Sequence, residues 1–435
     1  MTSSTYTGKA ATTQLPGRDS TLLGPYRVLD LAGEQGALCG RLFAAMGADV
    51  IRIEPPQGCA LRRQPPFHRG IEDGENSLAW WALSTNKRGI TLNIESAEGQ
   101  SLLLSLARQA DFLVESFAPG YLAGLDLGYE QLHEANPALV FVSITPYGQT
   151  GPHSHWAATD LNIQAMGTHM ALSGDADRSP VRVGLPAAYW HGGSEALEAA
   201  LIAHHYRRHT GRGQHVDVSM QQCIIWCLLN TTMTWQLTGK QEMRGGGVRK
   251  ERGNPVYTRS VWPCKDGVVH FIPIGGGGGK TRSDSYARFI DWMEAEGWFE
   301  DFLTAKDWNH RDMYDYTQEE YDRVAGQIGK FLMTHTLDEL YAKSVRERLL
   351  LAPISTVKDL LESPQLRERG FFVDVPHPRL GASFRYAGAF AKFSRTPLHA
   401  PRPAPLLGEH NAEVYGALLD ISAKHQAGLR EAGVI

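Results

Sequence analysis

The sequence has few cysteines, no long apolar run and no large excess of charge of one sign. Five cysteines in 435 residues, an odd number without metal-ligand spacing, argue against a disulfide-built scaffold and indicate no metal site. A formal net charge of −4 gives no electrostatic reason to expect nucleic acid or an anionic membrane as a partner. We expect the cysteines to be reduced core residues, namely Cys39, Cys59, Cys223, Cys227 and Cys264.

No segment approaches the roughly 18 to 20 apolar residues that a helix needs to span a bilayer. Residues 1–20 are polar and rich in Ser and Thr, and they lack the apolar stretch of a secretory signal. We therefore predict a flexible arm over residues 1–22 and, by default, a cytoplasmic protein.

Short apolar strands alternate with helical segments over residues 26–145, a pattern typical of βαβ units. Strands that are apolar on both faces predict an α/β fold with an open parallel sheet of the Rossmann type. Ligands of such sheets bind beyond the carboxyl ends of the strands. The predicted strands are YRVLDLA, ADVIRIE, GITLNI, DFLVESF and ALVFVSI, with helices near 37–46 and 99–109.

A Gly-rich and charged stretch, GKQEMRGGGVRKERGNP, follows a helical segment near 221–236 and predicts a change of domain. Beyond it, SVWPCKDGVVHFIPI predicts a hairpin closed at KDG, and helices are predicted near 286–298 and 319–333. We predict a large α/β domain over 23–225 and a smaller α+β domain over 226–355.

The stretch from Val181 to Met220 carries the most specific pattern. A Gly-containing turn leads into an amphipathic helix, TGRGQ ends the helix, and an alternating HVDVS strand follows. This layout resembles the family III CoA-transferases of the CaiB/BaiF and formyl-CoA transferase type. Members of that family read close to VGVPIAD, then a helix ending in TGxGQ, then VDVSL. The similarity to family sequences continues over nearly the whole chain from Gly24 onward.

The resemblance implies a fold and a reaction. The fold is a Rossmann-like large domain with a smaller α+β domain, in two chains that interlock like links. In the reaction an aspartate carboxylate attacks an acyl-CoA thioester, and the resulting mixed anhydride is resolved by CoA and an acceptor carboxylate. SPQLRERGFFVDVPHP resembles the part that runs back to the first domain in relatives, which implies the same for 356–435.

The position of the family's reactive aspartate falls on Tyr189, because the spacing from VGLP to HTGRGQ matches without a gap. A phenol with an ordinary pKa of about 10 yields little phenolate at neutral pH and would form only an aryl ester. We therefore predict that Tyr189 fills the vacated site and is not a substitute nucleophile. The racemase branch uses a histidine and an aspartate, and these positions fall on Thr159 and Tyr189, which argues against that chemistry too.

Other groups nearby offer alternatives. His191, two residues beyond Tyr189, would serve as a general acid or base near pH 7, although a structural role is the favoured interpretation. Asp160 matches a family position and is expected to cap the helix that follows it. Replacement of the nucleophile by a carboxylate stays open for Asp160, Asp175, Asp177 and Glu195.

The sequence motifs that contact CoA in the family are better preserved than the position of the aspartate. Gln35 matches a site near the CoA thiol, and Phe117, in VESFAPG, matches a loop that lies against the cofactor. TNKRGITLNI resembles the family's NKRSITLDL segment, which implies donors near the nucleotide or diphosphate. These donors are Asn86, Lys87 and Arg88.

Two further segments and one missing cation complete the pattern. GGGGGK lacks P-loop spacing and resembles the loop that folds over the active site in some formyl- and oxalyl-CoA transferases, with a linker as the alternative. RKERG, Arg249–Gly253, would attract an anionic substrate or form a solvated face. Gly124 stands where relatives often have an arginine. The predicted active-site loop consists of Gly275, Gly276, Gly277 and Gly278.

Three functions stay open. The first is an acyl-CoA-binding subunit of a heteromeric CoA-transferase, which works beside a paralogue that retains the aspartate, as in members of the benzylsuccinate type. The second is a CoA-thioester isomerase, lyase or hydratase that uses Tyr189 or His191. The third is a non-catalytic acyl-CoA-binding protein. The predicted ligands are coenzyme A or acyl-CoA and an organic acid, without a metal, in an interlocked homodimer, heterodimer or heterotetramer.

Overall fold

A parallel sheet forms the centre of the first part of the chain. The computed structural model describes residues 21–250, 256–273, 279–298, 300–305 and 317–435. The strands of the sheet are β1 (Arg27–Asp30), β2 (Asp49–Glu54), β3 (Arg88–Thr91), β4 (Phe112–Glu115), β5 (Val140–Thr145) and β6 (His215–Ser219). Their order is β3-β2-β1-β4-β5-β6, and every neighbouring pair is parallel, so the predicted open α/β sheet is confirmed.

The order in which successive strands join the sheet reverses between β1 and β4, which are adjacent. The strands β2 and β3 lie on one side of β1, and β4, β5 and β6 lie on the other. In doubly wound sheets the loops at such a reversal diverge at the carboxyl ends of the strands and leave a crevice for ligands. The loops after β1 and β4 are therefore the place where this fold presents a ligand site.

Helices cover both faces of the sheet, as expected for strands that are apolar on both sides. Alternate strand residues enter two separate cores: Val28, Val114 and Val142 pack on one side, and Leu29 and Leu113 on the other. The helices of this part are α1 (Ala37–Ala45), α2 (Leu78–Leu83), α3 (Ala97–Ala107), α4 (Tyr129–Ala135), α5 (Asp160–Met166), α6 (Ala187–Thr210) and α7 (Met220–Trp226).

Later segments form a further core and smaller sheets. The strands are β7 (Val248–Lys250), β8 (Tyr257–Arg259), β9 (Val261–Pro263), β10 (Val268–Phe271), β11 (Leu351–Pro353), β12 (Phe372–His377) and β13 (Ala382–Ala387). The helices are α8 (Leu229–Thr238), α9 (Gly279–Ala295), α10 (Asp301–Thr304), α11 (Gln318–Leu332), α12 (Leu337–Glu347), α13 (Val357–Glu362), α14 (Pro364–Glu368), α15 (Asn411–Leu419) and α16 (Ala423–Glu431). The hairpin predicted at KDG is confirmed by the antiparallel pairing of β9 with β10.

Edge strand β3 is covered by α15. Asn411 Oδ1 accepts the Thr91 amide proton at 2.9 Å, and the Tyr415 hydroxyl donates to the Thr91 carbonyl at 2.7 Å. These contacts satisfy backbone groups that an open sheet edge leaves unpaired.

The described chain divides into two compact units. The first contains the residues up to Gly167 together with Gly184–Leu229 and Gln365–Ile435, and the second contains Thr168–Val183 and Asn230–Pro364. The boundaries thus lie at 229 and 364, where the sequence analysis placed them at 225 and 355.

One segment lies in a different unit from the one expected. Residues 168–183, which the sequence analysis included in the large domain, belong to the second unit. There Arg244 Nη2 donates to the Arg178 carbonyl at 2.6 Å, and Arg244 Nε donates to the Asp175 carbonyl at 3.1 Å. No pattern in the sequence predicts that residues 168–183 contact Arg244, because the contacts join residues 66 and 69 positions apart.

The cysteines are all free thiols. Cys39, Cys223 and Cys264 are buried and Cys59 is partly buried, but Cys227 is exposed at the end of α7, so the predicted core position is wrong for Cys227. Among the described residues no helix is long and apolar enough to cross a bilayer.

Candidate active site

Tyr189 lies in the first turn of α6 and its side chain is buried, with 7% of the residue exposed. Burial raises the pKa of its phenol, and the nearby Glu34 and Asp160 carboxylates raise it further. Hydrogen bonds from the Asp160 backbone and the Gln35 side chain act in the opposite direction without reversing the shift. Tyr189 therefore stays protonated at neutral pH, which is unsuitable for a nucleophile.

Asp160 holds the start of α6. Its Oδ1 accepts the Ala188 amide proton at 2.9 Å, and its Oδ2 accepts from Gln164 Nε2 at 2.6 Å. The sequence analysis expected Asp160 to cap its own helix, α5, but Thr159 occupies that N-cap and forms a capping box with Asn162. Both oxygens of Asp160 are thus engaged in structural hydrogen bonds.

Gln35 and Phe117 are brought to the reversal point of the sheet, in the loops after β1 and β4. The two loops are joined by a hydrogen bond from the Gly33 amide to Ser116 Oγ at 2.8 Å. Phe117 stacks on Tyr121, with ring centroids 4.8 Å apart. The Gln35 side chain donates a hydrogen bond to Tyr189, so these two residues lie together beyond the carboxyl end of β1, where doubly wound sheets have their ligand crevice and where the resemblance implies the reacting end of CoA.

Asn86, Lys87 and Arg88 precede or begin β3, where Arg88 pairs in register with Ile51, the third residue of β2. Their side chains reach different parts of the sheet. The Arg88 guanidinium binds Asp49 at the start of β2, whereas the Lys87 ammonium binds Asp30 at the end of β1 and donates to the Ala37 carbonyl at 3.3 Å. Lys87 therefore reaches the same side of β1 as Gln35, which lies two residues before Ala37.

The Lys87 and Arg88 side chains are engaged within the protein. The Lys87 ammonium is buried and lies 2.8 Å from Asp30 Oδ2, and Asp30 also binds Arg52 at 3.0 Å. Arg88 binds Asp49 Oδ1 at 2.7 Å. Burial lowers the pKa of Lys87 while Asp30 raises it. A role of these residues in CoA binding stays a prediction, and it would compete with these ion pairs.

His191 does not share the crevice with Tyr189. Residues two apart on a helix point in nearly opposite directions, because each residue turns the helix by about 100°. The His191 ring is exposed and lies 3.8 Å from Glu195 Oε1 and 3.5 Å from Cys227 Sγ. The structure therefore separates the two proposed acid–base groups.

The other candidate groups are scattered. Asp175 and Asp177 are exposed in the second unit, and Glu195 lies on the His191 side of α6. Gly275–Gly278 and Arg249–Gly253 fall on residues or side chains outside the described part of the chain. Within the described residues no group of three or more His, Cys, Asp or Glu is arranged to hold a metal ion.

One ionisable residue of this edge was missed by the sequence analysis. Glu115, at the end of β4, is buried, and burial raises its pKa to about 7. Its Oε2 accepts the Phe117 amide proton at 2.7 Å, so it also shapes the predicted cofactor loop. A carboxylate at the last position of a fully apolar strand, FLVE, is the signal that would have identified it.

Comparison with known proteins agrees with this fold and layout. A family model described as CoA-transferase family III matches residues 23–411, which is most of the chain.

The chain belongs to CoA-transferase family III.

Individual relatives of this family cover nearly the whole protein. The succinyl-CoA:(R)-benzylsuccinate CoA-transferase subunit BbsE of Thauera aromatica is 34% identical over 389 residues, 89% of this chain and 92% of the relative. A succinyl-CoA–D-citramalate CoA-transferase of Chloroflexus aurantiacus is 29% identical, over 95% and 98% of the two chains. The crystal structure of a CAIB/BAIF family protein from Brucella suis superposes with a TM-score of 0.76 at 27% identity, covering 92% of this chain and 100% of that one.

Proposed function

We propose that this chain is the aspartate-lacking subunit of a heteromeric family III CoA-transferase. In this assembly a partner subunit retains the aspartate and CoA moves between an acyl-CoA and an organic carboxylate. The observation that carries the proposal is the buried, protonated Tyr189 phenol at the position where the resemblance implies the aspartate. The 34% identity to a relative that is named as a subunit supports a heteromer.

The chemistry of the family explains why a partner is needed. An anhydride forms only when a carboxylate attacks the thioester carbonyl and expels CoA thiolate. Near Tyr189, Asp160 uses both oxygens to hold α6 and Gln164, and Glu34 accepts from Gln64 Nε2 at 2.5 Å. These carboxylates are committed to positioning the crevice, so the attacking group is expected from the partner subunit.

The acid–base alternative receives less support from the geometry. A single isomerase or hydratase site that uses both Tyr189 and His191 requires both groups to reach one substrate, yet they lie on opposite sides of α6. The third function, binding of acyl-CoA without reaction, differs from the proposal only in the absence of an active partner.

The test is reconstitution with a paralogue that carries the aspartate. We expect the isolated chain to transfer no CoA between succinyl-CoA and an organic acid, and the mixture to gain activity. In the mixture Tyr189→Phe should change the rate by less than about twofold, whereas loss of an acid–base group costs about 10²- to 10⁴-fold. His191→Gln is the matched control on the other side of α6.

Two results would contradict the proposal. One is full activity of the isolated chain. The other is an acyl adduct on the isolated chain that hydroxylamine releases after incubation with acyl-CoA, because it would show that another carboxylate has replaced the aspartate. Acyl-CoA binding without any gain from paralogues would instead favour the non-catalytic binding protein.

A further inference from the structure

A large cavity lies in the first unit at the amino edge of the sheet, the edge opposite to Tyr189. Its volume is about 940 Å³, within the range of small-molecule sites. The walls combine the starts of β1, β2 and β3 with the segment around 376–418. None of the groups assigned above to the crevice at Tyr189 lines this cavity.

Three polar groups on its wall have no partner among the described residues. Asn86 is buried, with 6% of the residue exposed, and its Nδ2 has no hydrogen-bond partner among the described residues. The Nε2 of His399 is also buried without a partner in the described chain. Arg402 lines the same cavity, and its guanidinium forms no ion pair with any described carboxylate.

These three groups are held together. The Arg402 amide donates to Asn86 Oδ1 at 2.7 Å, and the Asn86 amide donates to the Arg402 carbonyl at 3.4 Å. Burial, followed by the nearby Arg402 charge, lowers the pKa of His399 and keeps its imidazole neutral. The other cations of the wall have partners: Arg27 and Arg88 bind Asp49, Lys87 binds Asp30, and Arg379 donates to the Glu75 carbonyl and to Asn76 Oδ1. Arg402 is thus left beside two neutral polar groups.

The carboxylates around the cavity do not compete for Arg402, because each already accepts from another donor. Asp49 binds both Arg27 and Arg88, at 3.0 Å and 2.7 Å. The other three, each with its own donor, are Glu75, Glu409 and Glu413.

We propose that this cavity binds a small organic anion, with a carboxylate head on Arg402, Asn86 and His399 and an apolar body along the apolar part of the wall. The Arg402 guanidinium beside two neutral polar groups matches one negative charge better than the two charges of a phosphate. The apolar wall consists of Pro376, Pro378, Pro403, Pro405 and Leu406. The cavity shares Asn86 with the donors that the resemblance implies for CoA, but it excludes Tyr189, and hexanoate binding does not depend on the proposed transferase chemistry.

Hexanoate binding to the full chain, measured by titration calorimetry, tests this site. We expect Arg402→Gln and Asn86→Asp each to weaken binding at least tenfold. Asn86→Asp keeps the Oδ1 acceptor and tolerates the left-handed backbone at this position, where φ is 66°, but it replaces the unused donor by a negative charge. Arg385→Gln, an exposed arginine outside the cavity, is the matched control and should bind like the unmodified chain.

Two further probes distinguish the contribution of the carboxylate from that of the apolar chain of hexanoate. Hexanol, which lacks the charge, and inorganic phosphate, which lacks the apolar body, should each bind at least tenfold more weakly than hexanoate. Equal binding by Arg402→Gln and the unmodified chain, no hexanoate binding, or stronger binding of phosphate would overturn the proposal. Loss of binding in Tyr189→Phe would place hexanoate in the other crevice and would equally overturn it.

Discussion

Tyr189 is the residue on which the proposed function depends. It is buried in the first turn of α6, and the Gln35 side chain and the Asp160 backbone donate hydrogen bonds to its oxygen. The sequence was sufficient to predict that Tyr189 corresponds to the family's aspartate, because VGLP and TGRGQ define the spacing. It was not sufficient to separate Tyr189 from His191, which requires the direction of each side chain around the helix.

Glu115 is a residue at this edge whose charge state affects stability. Its pKa is raised from 4.5 to about 7 because it is buried, so the folded chain binds a proton that the unfolded chain releases. Its contribution to stability is therefore complete below about pH 4.5 and is lost as the pH rises through 7.

Glu115→Gln should remove this dependence on pH. The amide retains an oxygen that accepts from Phe117 but carries no charge, so the variant should gain stability relative to the unmodified chain between pH 5 and pH 8. Urea unfolding at both pH values measures the change. Glu72→Gln, at an exposed loop position, should show no such gain, and an equal effect of both substitutions would contradict the assignment.

At the scale of elements, α6 carries the site, and its start is fixed from another helix. The sequence predicted the existence of α6 and of the strands, because their apolar periodicity is strong. It misassigned the cap, because Asp160 is adjacent to α5 in sequence but adjacent to Ala188 only in space.

Asp160→Ala should destabilise the chain by about 1 to 2 kcal/mol, since it leaves the Ala188 amide without its acceptor and weakens the bonding of Gln164. Asp160→Asn keeps one acceptor oxygen and should lose less. Chemical unfolding midpoints of the two variants provide the measurement. If Asp160→Ala is as stable as the unmodified chain, the capping role is wrong.

The middle of α6 contains a histidine that is buried without a charge. His204 packs against Tyr26 at 4.4 Å between ring centroids, and burial lowers its pKa from 6.5 to about 4. Because the unfolded chain takes up a proton first, stability should fall as the pH decreases from 6.5 to 4.

His204→Gln should reduce that loss by an amount on the order of 2 kcal/mol. His205→Gln is the control, since it changes the next residue on the same helix, where the side chain is exposed. Thermal or urea unfolding at pH 6.5 and pH 4.5 measures the difference. Identical pH profiles for the two variants would contradict a neutral, buried His204.

At the scale of the molecule, the sequence identified the sheet but not the order of its strands. Alternating strands and helices predict a parallel sheet, whereas the position of β1 between β2 and β4 depends on contacts among residues far apart. Gln35 and Phe117 follow β1 and β4 directly, so the sequence is sufficient to place them beyond the carboxyl ends of these strands. The contact of the Lys87 ammonium with Asp30 joins residues 57 positions apart and could not be predicted from the sequence.

An apolar groove on the first unit is the surface at which we expect the proposed partner subunit to bind. Its volume is about 710 Å³, and its lining includes Leu42, Leu197, Ile202 and Phe390. Ile202 is 65% exposed and Phe390 is 56% exposed, which is a large apolar area for a chain that acts alone.

Ile202→Asp should reduce co-purification with the aspartate-containing partner at least tenfold, because a buried interface does not tolerate an unpaired carboxylate. Ile71→Asp replaces an exposed isoleucine outside the groove and should leave assembly unchanged. Retention of full assembly by Ile202→Asp would exclude the groove as the contact surface.

Edge strand β3 is synthesised long before α15, the helix that covers it. The Thr91 amide donates to Asn411 Oδ1, which lies 320 residues later in the chain. At about 5 to 20 residues per second, the ribosome needs roughly 15 to 65 s to synthesise that interval. During synthesis the backbone of Thr91 therefore has neither Asn411 nor Tyr415 as a partner, and β3 is an uncovered edge until α15 emerges.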